Sequence, residues 1–111
     1  MYKIIACDLD ETLISRDRSI SKENIEAIQR AKQAGVRFVP ATGRGYNSVR
    51  NELKTLGLYD LENEYVISYN GGAITENKDE RVLHFQGITF KEAQDLYIRG
   101  LSYDHICIHI Y

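Results

Sequence analysis

Lys3-Ile4-Ile5-Ala6-Cys7-Asp8-Leu9-Asp10-Glu11-Thr12-Leu13 decides how this chain is read, because an apolar run ends there in two carboxylates separated by one leucine. A short apolar run this near the start reads as a strand buried on both faces, the kind found in the middle of a parallel sheet. In such sheets ligands sit beyond the carboxyl ends of the strands. Side chains alternate along a strand, so Asp8 and Asp10 can project toward the same space. Together they offer an anionic pair suited to a hard divalent cation.

Working outward, the next element carries start and stop signals. Ser21 can cap a helix, Glu23 sits in its first turn, and Ile20 with Ile25 has the spacing of a hydrophobic staple. Ile25, Ile28 and Ala31 recur at helical spacing, and Gly35 supplies the stop. Val36 to Val39 reads as a second strand, ended by Pro40, and the turn Pro40-Ala41-Thr42-Gly43-Arg44-Gly45 follows. Val49, Leu53 and Leu56 predict a second helix over about 46–56, and Tyr65 to Tyr69 a third strand stopping at Asn70-Gly71-Gly72. Strand, helix, strand, helix, strand is the signature of a parallel sheet with right-handed crossovers. Its strand ends at Asp8, Thr42 and Asn70 then share one edge.

Past Gly72 the pattern changes. Ala73 to Thr75 and Arg81 to Phe85 flank a polar turn and read as a hairpin. Thr89-Phe90-Lys91-Glu92 fits a capping box, predicting a helix from Phe90 to about Gly100 with Ala93, Leu96 and Tyr97 inward. His105 to Tyr111 alternates strictly and reads as a half-buried strand. His105, Cys107 and His109 would share one face of it, where a strand with a polar side is a simpler account than a zinc site.

Composition narrows the classes. At 111 residues and 43% hydrophobic content the chain has the size and core-forming material of one domain. A net charge of −2 gives neither a nucleic-acid footprint nor a polybasic membrane surface. No stretch approaches the ~20 apolar residues of a membrane span, and the N-terminus lacks a secretory core. A cytosolic protein with no nucleic-acid or membrane partner is expected. Cys7 and Cys107 lie apart among apolar neighbours and imply no disulfide framework.

Asp8-Leu9-Asp10-Glu11-Thr12-Leu13 resembles the first motif of the haloacid dehalogenase (HAD) superfamily, in which a hydrophobic strand runs into Asp-x-Asp-x-Thr-Leu. Ala41-Thr42-Gly43-Arg44 is similar to the second motif of its Cof-like phosphatases, and Asn70-Gly71-Gly72 resembles the end of their third strand. The resemblance covers nearly the whole chain, as the N-terminal part of such a protein only. It implies a Rossmann-like α/β core, first half over 1–80, followed by the beginning of an α+β cap domain over 81–111.

The resemblance further implies a phosphatase acting on a small phosphorylated metabolite, a sugar phosphate or phosphorylated cofactor. Asp8 would be the nucleophile, forming an aspartyl phosphate, and Asp10 the acid and base. Mg²⁺ would be held by Asp8 and Asp10, the latter through its backbone carbonyl. Thr42 would bind a phosphoryl oxygen, with Gly43, Arg44, Asn70 and Gly71 completing the phosphate or substrate contacts. A later lysine and an acidic Gly-Asp motif, usual in the family, have no counterpart here. In the family the first strand is central, so here it is expected as an exposed edge open to self-association or to a complementing chain. The rival reading is a non-catalytic binding or regulatory module on the same fold. A phosphoacceptor receiver domain ranks last, because the third strand ends in Asn70.

Overall fold

The computed structural model describes residues 1–110. In chain order it contains β1 (Ile4–Asp8), α1 (Lys22–Gln33), β2 (Arg37–Ala41), α2 (Arg50–Thr55), β3 (Tyr65–Ser68), β4 (Ala73–Glu76), β5 (Arg81–Phe85) and α3 (Phe90–Gly100). The strands form one sheet in the order β1-β2-β3-β4-β5. The first three run parallel, and β4 and β5 continue the sheet antiparallel. This is the expected α/β architecture with a Rossmann-like parallel part. β5, which opens the second of the two expected units, is the fifth strand of this same sheet.

The core forms where α1 and α2 lay their apolar faces on the parallel strands. Leu9, Val49, Leu53, Leu56, Leu58 and Val66 are completely shielded from solvent. Each aliphatic side chain of this kind contributes about 1.5–3 kcal/mol by leaving water. The Ser21 hydroxyl accepts a hydrogen bond from the Asn24 N–H at 3.2 Å, capping α1 as expected. Ile20 and Ile25 both pack against the core, fixing the angle at which the chain enters the helix.

Several elements differ from expectation. β1 is not buried on both faces, as its apolar run alone suggests; it is the exposed edge expected of a partial core, pairing with β2 alone and leaving Ile4 57% exposed. Its apolar sequence has no layer or strand to meet on the outer side among the described residues. β2 runs through Pro40 to Ala41 instead of ending before the proline. The Thr42 N–H reaches the Ile67 carbonyl of β3 at 2.9 Å, so the Pro40 nitrogen, two residues earlier, faces the same side. There the β2–β3 ladder has not yet begun, its one pairing being Ala41 with Ile67, and the missing N–H costs no bond.

The helix expected over 46–56 is split into a 3₁₀ turn, Tyr46–Ser48, and α2. The Ser48 carbonyl, which a continuous α-helix would spend on the residue four ahead, accepts instead from the Arg44 guanidinium. α3 has its capping box, with the Thr89 hydroxyl and Glu92 carboxylate reciprocally bonded. Yet Leu96 and Tyr97 are exposed, not inward. Residues 105–110 are not a strand, since no neighbouring strand offers them a ladder; Tyr111, the end of that expected element, lies outside the described residues.

Candidate active site

The site is built from three consecutive strand ends. Asp8 closes β1 opposite Ala41 of β2, which places Thr42 immediately beyond the neighbouring end. The Asn70 N–H donates to the Thr42 carbonyl at 3.0 Å, tying the turn after β3 to the turn after β2. Asp8, Thr42 and Asn70 therefore lie along one edge of the sheet, as the sequence order of strands and helices predicts.

Around the two acids, solvent exposure alternates. Asp8 and Asp10 are exposed while Leu9 between them is fully buried, so Leu9 anchors the segment and the carboxylates point away from the core. The chain then turns back sharply. Glu11 takes a left-handed φ of 56°, and the N–H groups of Thr12 and Ile14 both donate to the Leu9 carbonyl. The turn delivers the Thr12 hydroxyl to the Asp8 carboxylate, to which it donates at 3.1 Å. The neighbouring Cys7 thiol has its pKa raised by burial and then by the Asp8 charge, which keeps it in the unreactive protonated form.

On the second strand end, Thr42 is buried and its hydroxyl oxygen accepts from the Arg44 N–H at 3.1 Å. Its own hydrogen remains able to donate. Gly43 is small for a steric reason: a Cβ there would sit 3.1 Å from the Asn70 Oδ1. Asn70 itself has φ 54° and ψ 37°, a left-handed geometry asparagine tolerates, and Gly71 has φ 98°, which strongly favours glycine.

Arg44 joins the strand ends. Its Nη1 lies 3.5 Å from Asp10 Oδ1 and 2.9 Å from Glu52 Oε1, while its Nε donates to the Ser48 hydroxyl at 3.2 Å. Ser48 and Glu52 carry no motif. The only trace of either in the sequence is an acid in the first turn of a short helix.

The structure thus brings Asp10 to Arg44, Arg44 to Thr42, and Thr42 and Gly43 to Asn70. Asp8 and Asp10 stand on an open edge, not inside a cavity. A cleft of 260 Å³ nearby is lined instead by Tyr46, Asn47, Ser68, Tyr69, Glu80 and Phe85 among others, none of them an expected site residue. Burial and the Glu80 charge push the Tyr46 phenol up to about 12.

The sequence profile of haloacid dehalogenase-like hydrolases matches residues 5–111. The chain belongs to this family. It is 34% identical over 102 residues to YxeH of Bacillus subtilis (strain 168), covering 92% of the chain and 37% of that protein. It is 36% identical over 76 residues to the HMP-PP phosphatase of Yersinia pestis (strain Pestoides F), covering 68% and 26%. Among solved structures, a haloacid dehalogenase-like hydrolase from B. subtilis superposes with a TM-score of 0.76 at 33% identity, covering 91% of this chain and 34% of that one. The HAD subclass IIB sugar phosphatase BT4131 superposes at 0.69 and 28% identity, covering 86% and 36%. This family member spans about a third of the length of the first curated relatives it matches.

Magnesium, which the family implies, prefers about six oxygen ligands in a near-octahedral shell. The donor set here fits in part: two exposed carboxylates and the Asp10 backbone offer oxygen only. No group of three acidic, histidine or cysteine side chains capable of holding a metal gathers among the described residues. Waters and the phosphate would have to fill the remaining positions.

Proposed function

We propose that this chain carries the nucleophile-bearing part of a Mg²⁺-dependent phosphatase that hydrolyses a small phosphate monoester. A sugar phosphate or a phosphorylated cofactor is the favoured substrate class, supported by relatives named as a sugar phosphatase and an HMP-PP phosphatase. The observation that carries the reading is the placement of Asp8, Thr42 and Asn70 on one sheet edge, with Arg44 linking Asp10 to that edge.

In this mechanism an Asp8 carboxylate oxygen attacks phosphorus, and the ester P–O bond breaks as Asp10 donates its proton to the leaving alcohol oxygen. Asp10 then takes a proton from water, whose oxygen attacks the aspartyl phosphate; the bond from phosphorus to Asp8 breaks and inorganic phosphate leaves. The hydrogen bond from Thr12 holds Asp8 in place between these events. The Thr42 hydroxyl and the turn at Gly43 are assigned to the phosphoryl oxygens, and Asn70 and Gly71 to the substrate side of the mouth. Bound Mg²⁺, held by Asp8 and the Asp10 carbonyl, would supply positive charge that offsets repulsion between the nucleophile and the phosphate.

Residues 1–80 are assigned to the first half of the catalytic core and 81–111 to the start of a cap. The open edge of β1 is the proposed surface for self-association or for a complementing polypeptide. Sedimentation in dilute solution checks this: a stable monomer at every concentration argues against it.

The test of activity is hydrolysis of p-nitrophenyl phosphate with Mg²⁺, by the chain alone and with the remaining two-thirds of a relative supplied in trans. Turnover that Asp8→Asn abolishes is the expected result. Equal rates with and without Asp8 in both arms would discard the mechanism. The rival non-catalytic module predicts no Asp8-dependent turnover in either arm.

A further inference from the structure

Arg44 lies two residues after the proposed phosphate clamp, where a cation would be expected to reach outward for phosphate. Its guanidinium turns back instead. The Nε–H donates to the Ser48 hydroxyl, Nη2 to the Ser48 carbonyl, and Nη1 faces two carboxylates at once, Glu52 at 2.9 Å and Asp10 at 3.5 Å. The loop is braced again by the Ser48 hydroxyl, which donates to the Gly45 carbonyl at 2.8 Å. Most of the donor fork is thereby occupied before any ligand arrives.

The two carboxylates do not hold the arginine equally. Glu52 is nearer, and its side chain is 20% exposed against 59% for Asp10, so its attraction is less screened by water. The second Glu52 oxygen, Oε2, is buried with no hydrogen-bond partner. A buried carboxylate with one unsatisfied oxygen is costly unless a cation stands beside it, which makes Arg44 and Glu52 mutually dependent. Asp10 has solvent as a ready alternative; Glu52, with Oε2 buried, has much less.

We propose that Glu52 is a positioning residue that anchors the Arg44 guanidinium beside Asp10, so that Arg44 braces the acid–base carboxylate and is not itself the phosphate ligand. The proposal rests on the phosphatase reading for the role of Asp10, but the anchoring is a property of the free chain. Because the Arg44 N–H also bonds the Thr42 hydroxyl oxygen, Glu52 steadies Thr42 through the same residue. Its role is transmitted, not direct.

The decisive measurement uses the whole chain, ¹⁵N-labelled and metal-free, and follows solvent exchange of the Arg44 Nε–H by NMR. Glu52→Gln is expected to accelerate that exchange strongly, Glu52→Asp to an intermediate degree, and Asp10→Asn hardly at all. If Asp10→Asn releases the guanidinium as much as Glu52→Gln does, or if neither Glu52 variant changes exchange, the anchoring role is overturned. Glu52→Asp keeps the charge and so provides a folded comparison should Glu52→Gln unfold.

A second arm measures binding of fluoroberyllate with Mg²⁺ by ¹⁹F NMR, a mimic of phosphate on an aspartate. Asp8→Asn abolishing that binding supports the phosphatase reading, and Glu52→Gln weakening it by about tenfold supports positioning. Failure of the unaltered chain to bind fluoroberyllate counts against the phosphatase reading only. The exchange measurement still decides Glu52 in that event.

Discussion

β4 and β5 are neighbours in one sheet, yet they belong to different kinds of surface. Ala73, Thr75 and Glu76 of β4 are buried, whereas every residue of β5 is exposed, Phe85 to 69%. The same break continues along the chain. Residues up to Asn77 share a core with α1 and α2, while 81–110 are mostly exposed, with Leu96, Leu101 and Ile106 facing water. Hydrogen bonding and packing are therefore separable here: β5 pairs with β4 on either side of one register shift between Ile74 and Thr75, yet all its residues are exposed, and α3 keeps its capping box while burying none of its residues.

The contrast can be broken most forcefully by deleting side chains on either side of it. Leu53→Ala, in the fully buried core, should cost roughly 2–5 kcal/mol in urea unfolding. Leu101→Ala, on the exposed side, should stay within about 0.5 kcal/mol. Equal losses would show that the second region packs after all.

Acid should act on the seam between the regions. The Glu80 carboxyl is held below its ordinary value chiefly by the hydrogen bonds from Arg50, and Glu76 by the Asn63 N–H and then Arg81. Groups whose folded pKa is depressed stabilise above the unfolded value and lose that stabilisation as pH falls through the folded one. The urea midpoint should therefore decline below about pH 4.5, the ordinary glutamate value here, and decline less in Glu80→Gln. A flat midpoint down to pH 3 would remove these pairs from the account of stability.

The smallest effect belongs to the cap of α3. Thr89→Ala should cost the helix about 1 kcal/mol, seen as faster amide exchange over 90–100 with no change in the global midpoint. A shift of the global midpoint would mean that α3 folds with the core.

These differences also mark what could be read from residues alone. Elements carrying their own signals were legible: Ser21 and Thr89 as caps, the three strand ends, and the motif residues Asp8, Asp10, Thr42 and Asn70 on one edge. Features depending on a distant partner were not. The apolar run of β1 reads as a strand buried on both faces, yet Ile4 and Ile5 are exposed, because sequence records preference for burial and not its fulfilment. Leu96 and Tyr97 failed as inward residues for the same reason. Glu52 was invisible because its meaning comes from Arg44, eight residues away and across a broken helix.

The sharp reversal at Glu11 has one last consequence. A left-handed glutamate is held there by the grip of Leu9, Leu13 and Ile14 on the interior, all at most 7% exposed. The exposed carboxylates and the oily residues that anchor their segment thus alternate along a few positions of one ribbon. On the proposed mechanism, a screen that scores only lost turnover would give Leu13→Ala the same label as Asp8→Asn, the first by loosening the turn behind the aspartate and the second by removing its charge.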